Sequence, residues 1–127
     1  MKRNNKMQTT TFIDNFVTPR LTRSPDGRLL FDGFDCEQLA RQYGTPLYLM
    51  SEDTVRANCR NHLNALRRYL GADAVAAYAG KALSCRQIYR IIADEGMYAD
   101  AVSSGELYTA HASGFDMSHI IFHGNNK

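Results

Sequence analysis

At 127 residues, 44% hydrophobic and 22% charged, the chain has room for one modest domain with a buried core, and its composition excludes disorder. A net charge of +2, with basic residues scattered apart from Lys2, Arg3 and Lys6, lacks the basic stripe of a nucleic-acid binder. No apolar run reaches the ~18 residues of a membrane span and no signal segment opens the chain, so a soluble cytoplasmic protein is expected. Three widely spaced cysteines, Cys36, Cys59 and Cys85, suggest neither a disulfide framework nor a zinc knuckle. His62, His111 and His119 lack ligand spacing, and no metal site is expected.

In chain order, residues 1–15 read as a loose lead-in rich in Asn, Thr and Lys. Ser24-Pro25-Asp26-Gly27 is a turn, followed by a short strand at residues 29–31. Asp35 and Gln38 have capping-box spacing and open a short helix whose apolar face is Leu39, Ala40 and Tyr43. Gly44 closes it. Residues 45–50 are expected to form a strand entered through Pro46. Ser51 or Asp53 then caps an amphipathic helix, in which Val55, Cys59, His62, Leu63, Leu66 and Tyr69 recur at three- and four-residue steps. Gly71 ends that helix.

From residue 73 the pattern becomes rhythmic. Residues 74–79 are a continuous apolar run, as in a strand buried on both faces. Ser84 with Gln87 predicts a capped helix with Ile88, Ile91 and Ile92 as its stripe and Gly96 as its stop. Residues 98–102 form a second strand. Ser103 with Glu106 is another capping box, opening a helix through Leu107, Ala110 and His111 to Gly114, and residues 120–122 are a third strand. Strand and helix alternating in units of about 20 residues predict parallel βαβ units of an α/β fold, joined by right-handed crossovers. The strands then end on one side, where α/β folds carry their chemistry. Three segments follow the strand ends: residues 80–83, 103–105 and 123–127.

The first and last of these segments hold candidates, and two more flank the middle one. Lys81 follows a strongly apolar strand. Facing the core, its ammonium would be costly and the neutral amine favoured, which is the form that attacks an aldehyde. Snorkelling into water is the competing reading. Asp100, inside the second strand, either points inward to an ion pair with Lys81 or a cofactor, or outward to solvent. Glu106 is explained by its capping box with Ser103. His123, Asn125 and Asn126 lie past the third strand, where Asn often only shapes a turn.

Taken together, Tyr78-Ala79-Gly80-Lys81-Ala82-Leu83, the segment DAVSSGELYTAHASGF and the segment HIIFHGNNK resemble the fold-type III pyridoxal-phosphate-dependent decarboxylases, which share the alanine-racemase-like barrel. The lysine motif departs mildly at Leu83, where the family often has Asn. The upstream FDGFDCEQLARQYGTPLYLMSEDTVRANCR is similar to the same family's entry segment, so the likeness extends over roughly residues 15–127.

The resemblance implies an incomplete (β/α)8 barrel over residues 51–127, preceded by an N-terminal β-domain segment at 16–50. It implies pyridoxal phosphate held by Lys81, with Asp100, Glu106 and His123 close to the cofactor. The wording of YAGKAL and HGNNK favours the diaminopimelate branch, hence decarboxylation of meso-diaminopimelate to L-lysine by a homodimer when full length. A barrel of this kind takes about 250 residues, so the chain is expected to be an N-terminal piece that is inactive alone. An arginine, ornithine or carboxynorspermidine decarboxylase, an amino-acid racemase, a non-catalytic pyridoxal-phosphate-binding barrel and a small self-contained βαβ domain stay open as alternatives.

Overall fold

A computed structural model describes residues 20–124. The lead-in at 1–15 and the loop residues Asn125 and Asn126 lie outside the described residues. The chain divides into two compact units, one ending at Ser51 and one beginning at Glu52.

In the first unit, strands β1 (Leu21–Arg23), β2 (Leu29–Phe31) and β3 (Phe34–Asp35) form an antiparallel sheet in that order. The predicted turn joins β1 to β2, with Gly27 at φ 86°, a conformation that glycine adopts without steric cost. Helix α1 (Cys36–Tyr43) follows β3 directly. Asp35 caps it by accepting hydrogen bonds from the Glu37 and Gln38 amides, the first half of the predicted box, while no return bond from the Gln38 side chain is present among the described residues. Residues 45–50 do not form the expected strand. Pro46 offers no amide hydrogen to a ladder, and Tyr48 is 95% exposed, so no sheet neighbour covers this run.

The second unit opens with helix α2 (Glu52–Leu70). Its buried stripe is narrower than predicted: Cys59 and Leu63 are buried, whereas His62 and Tyr69 face solvent. Strand β4 (Ala77–Ala79), helix α3 (Arg86–Asp94), strand β5 (Tyr98–Ala101), helix α4 (Ser104–Ser113) and strand β6 (Ile120–Phe122) follow. The three strands form a parallel sheet in the order β4-β5-β6, the α/β arrangement that the alternating pattern called for. The first strand is shorter than the apolar run that announced it, because only its last three residues enter the ladder.

Ala99 and Ala101 of β5 are fully buried, and Ile88, Tyr89, Ile91 and Ile92 of α3 pack with Ala99 in one core. Small residues on the strand let the helix approach, and each large side chain buried there contributes about 1.5–3 kcal/mol. Alpha-3 begins at Arg86 with Cys85 in the cap position and no side-chain cap, so Ser84 and Gln87 do not form the predicted box. Gln87 instead donates to Glu52. Alpha-4 has its complete box, and Gly114 closes it in the left-handed conformation. Among the described residues no helix is long and apolar enough to cross a membrane.

Helices α2 and α3 are tied together by charge. Arg60 donates to both oxygens of Glu95, at 2.6 and 2.7 Å, while Arg56 reaches Glu95 at 3.1 Å and Asp94 at 3.0 Å. The Arg60 hydrogen bonds, then those of Arg56, outweigh partial burial and hold the Glu95 carboxyl below its ordinary range. A lowered native pKa stabilises the fold at pH above the unfolded value of about 4.3, and that contribution disappears as pH falls through the lower native one. Glu95→Gln is therefore expected to lower the melting temperature near neutral pH. The gap to wild type should close on acidification, as parallel melts across that window would reveal.

Candidate active site

Parallel pairing places the carboxyl ends of β4, β5 and β6 side by side, and the predicted site residues fall there. Lys81 lies in a single 3-10 turn, Gly80–Ala82, directly after β4. It is exposed, not turned toward the core, because the ladder ends at Ala79. The turn is anchored: the Tyr78 hydroxyl donates to the Leu83 carbonyl at 3.2 Å, spanning the lysine. Burial pushes the Tyr78 hydroxyl pKa up and so keeps it a donor.

Asp100 is in register with Ala79 on β4 and Ile121 on β6. With Ala99 packed in the helix-covered core and Ala101 fully buried, strand alternation turns Asp100 to the opposite face. Its side chain is 27% exposed, and no ion pair joins it to Lys81 among the described residues. Its side-chain neighbour is His123, whose Nε2 lies 3.2 Å from Asp100 Oδ1. The approach lacks hydrogen-bond direction, and Oδ1 is buried without a hydrogen-bond partner among the described residues. The His123 amide donates to the Ala101 carbonyl at 3.1 Å, which extends the β6 ladder by one residue. Its imidazole therefore comes out on the face of Asp100, largely exposed.

Glu106, 8% exposed, plays the capping role that its spacing predicted. Its Oε2 accepts the Val102 amide at 2.5 Å and the Ser103 amide at 3.1 Å, while Ser103 Oγ accepts the Glu106 amide. The carboxylate thus ties down the turn leaving β5. Its carboxyl carbon also lies 3.5 Å from the point where a side chain on Gly80 would begin. The arrangement sets an amine, a carboxylate with a buried open acceptor and an imidazole at adjacent strand ends, groups able to attack an aldehyde and to exchange hydrogen bonds with a bound molecule.

The family description "Pyridoxal-dependent decarboxylase, pyridoxal binding domain" matches residues 53–127. The chain belongs to this family. Among similar proteins of the pyridoxal-dependent decarboxylase family is a diaminopimelate decarboxylase of Actinosynnema pretiosum subsp. auranticum. It is 42% identical over 115 residues, which are 91% of this chain and 25% of that protein. A crystal structure of diaminopimelate decarboxylase from Methanocaldococcus jannaschii superposes with a TM-score of 0.70 at 38% identity, over 84% of this chain and 25% of that one. A co-complex of that enzyme with L-lysine superposes equally well, at 37% identity. The chain spans about a quarter of the length of the relatives it matches.

Sequence reasoning missed two residues of this pyridoxal-binding region. Tyr89 follows Ile88 in the stripe of α3 and looks like one more core aromatic, yet its hydroxyl reaches the underside of Gly80. Gly124, which follows His123, lies against the backbone of Val102. A glycine after a strand is a recognisable signal of close backbone approach, but its partner is set by strand pairing alone.

Proposed function

We propose that this chain is the lysine-bearing portion of a pyridoxal-phosphate-dependent decarboxylase that converts meso-diaminopimelate to L-lysine and carbon dioxide. The observation that carries the reading is the grouping of Lys81, Asp100 and His123 at the carboxyl ends of three parallel strands, in a chain of this family. The choice of meso-diaminopimelate is supported by the names of the similar proteins, which are diaminopimelate decarboxylases.

These residues fit the cofactor. The buried Oδ1 of Asp100, without a hydrogen-bond partner among the described residues, can accept from a bound group, and Lys81 is exposed and can reach one. Lys81 would bond to the aldehyde through its neutral amine, since only the unprotonated nitrogen has a lone pair to donate. When bound, pyridoxal phosphate supplies an electron sink for the pair left behind by departing carbon dioxide. Lys81, the residue that would hold the group, would also be placed to deliver a proton from its ε-nitrogen. Asp100 and His123 would orient the bound group, and Glu106 would hold the β5 turn from below. In a full-length protein we read β4-β5-β6 as the first strands of an alanine-racemase-like barrel, and the assembly as a homodimer.

The test is substrate choice by the full-length protein with pyridoxal phosphate. Lysine and carbon dioxide should form from meso-diaminopimelate, with ornithine and arginine turned over at least about a hundredfold more slowly, the discrimination open to a site that pairs the substrate's second amino-acid head. Preferential turnover of ornithine or arginine would move the protein to another branch of the family.

A further inference from the structure

Two buried side-chain polar atoms lack a hydrogen-bond partner among the described residues, Tyr89 Oη and Asp100 Oδ1. Asp100 belongs to the site already described, but Tyr89 has no assigned role. It comes from the helix layer, is 0% exposed, and meets the Lys81 turn from beneath. A side chain begun on Gly80 would lie 2.5 Å from Tyr89 Oη, 3.3 Å from the Asp100 carbonyl oxygen and 3.5 Å from the Glu106 carboxyl carbon. The Tyr89 hydroxyl therefore fills the place that a side chain at residue 80 would take.

That hydroxyl cannot swing aside. The ring is locked in the core, with Phe115 edge-on at 5.9 Å, and tyrosine has only two side-chain torsions with which to move. A phenylalanine would bury the same ring without an unpaired hydroxyl, so packing alone does not call for tyrosine here. Burial, partly offset by the nearby Ser84 hydroxyl, pushes the Tyr89 pKa up, although Ser84 does not reach hydrogen-bond geometry. What the hydroxyl does provide is a rigid stop under the residue that precedes Lys81. With Tyr78 clamping the same turn through the Leu83 carbonyl, the lysine's backbone is fixed on both sides.

We infer that Tyr89 and Gly80 are a matched large–small pair that sets the height of the Lys81 turn, which makes Tyr89 a positioning residue for the attachment of pyridoxal phosphate to Lys81. The inference rests on the proposed role of Lys81. An added methyl at residue 80 must either displace a locked ring or lift the turn by roughly 1 Å, since ordinary contact begins near 3.4 Å.

The experiment compares Gly80→Ala, Tyr89→Phe, the double variant and Lys81→Ala in the full-length protein. It measures pyridoxal phosphate affinity, the position of the bound cofactor's visible band, and the melting temperature without cofactor. Gly80→Ala is expected to weaken cofactor binding by about 100-fold, the cost of a misplacement of about 1 Å. Adding Tyr89→Phe, which removes the obstructing oxygen, should recover at least about tenfold, a coupling typical of residues in contact. The Tyr89→Phe protein alone should shift the visible band while the cofactor-free protein melts at or above the wild-type temperature, a combination that a purely structural tyrosine would not produce.

A double variant that binds no better than Gly80→Ala would overturn the pairing, as would a Gly80→Ala protein that binds like wild type. Should Gly80→Ala fail to fold, an unchanged band and affinity in Tyr89→Phe overturns it instead. If Lys81→Ala keeps a borohydride-reducible adduct, the Lys81 reading itself has failed. If it loses that adduct while the double variant shows no rescue, only the role of Tyr89 has failed.

Discussion

In the full-length enzyme, Lys81→Ala is expected to lose the borohydride-trappable cofactor adduct and to lower lysine production by several orders of magnitude, because covalent catalysis has no substitute nucleophile. Lys81 is the only lysine between Lys6 and Lys127, so no other amine lies on the three-strand sheet. Lys81→Arg should do no better, since a guanidinium stays protonated and cannot condense with an aldehyde. Glu106→Gln is the informative contrast. The amide oxygen of glutamine can accept the Val102 and Ser103 amides that the carboxylate now holds, so appreciable activity should survive. The measurement is the visible spectrum of each purified variant with pyridoxal phosphate, before and after reduction, followed by lysine release from meso-diaminopimelate. A reducible adduct persisting in Lys81→Ala would place the cofactor on a different lysine.

The second large effect is expected at Gly124. A methyl group there would overlap the Val102 carbonyl oxygen and lie 2.9 Å from the Val102 carbonyl carbon. Both neighbours are backbone, and neither can rotate away. Val102 is also fixed from its other side, since its amide donates to buried Glu106. Gly124→Ala must therefore push the segment after β6 away from the end of β5, at a cost of about 1–3 kcal/mol or more for overpacking at an unyielding contact. His123, one residue earlier, would move with it and leave Asp100. Gly105→Ala is the control: its added methyl meets only Ser103 Oγ, at 4.0 Å, inside helix α4. That change should be neutral, or stabilising by about 0.4–1 kcal/mol through the unfolded chain. Denaturant unfolding of both full-length variants should show the contrast. Equal stability would mean that the β5 and β6 ends are not packed as described.

By itself the sequence determined the elements whose signals are local. The period of Ile88, Ile91 and Ile92 marks the buried face of α3. Ser103 with Glu106 marks the start of α4, and Asp35 that of α1, because a capping side chain bonds amides only two or three residues away. The short apolar runs spaced by helices marked a parallel sheet, since parallel neighbours need a crossover between them. Where local signals competed, the sequence misled. Residues 45–50 read as a strand but find no ladder, because a strand exists only with a neighbour to accept its hydrogen bonds. Ser84 had the spacing of a cap, yet α3 starts at Arg86, where packing of its isoleucines and Tyr89 sets the helix in place.

The site divides in the same way. Lys81 was legible as a lysine after an apolar strand, but its exposure was not, because the ladder's end depends on pairing with β5. Which face Asp100 takes was equally open from sequence alone. A shift of one residue in register sends a strand's side chains to the opposite face, and only the packing of Ala99 into the core beneath the helices decides it. The contact of Asp100 with His123, the seat of Tyr89 under Gly80 and that of Gly124 against Val102 join residues 9 to 23 positions apart. No local preference encodes such distances; they follow once three strands are laid parallel and their helices are pressed against one face.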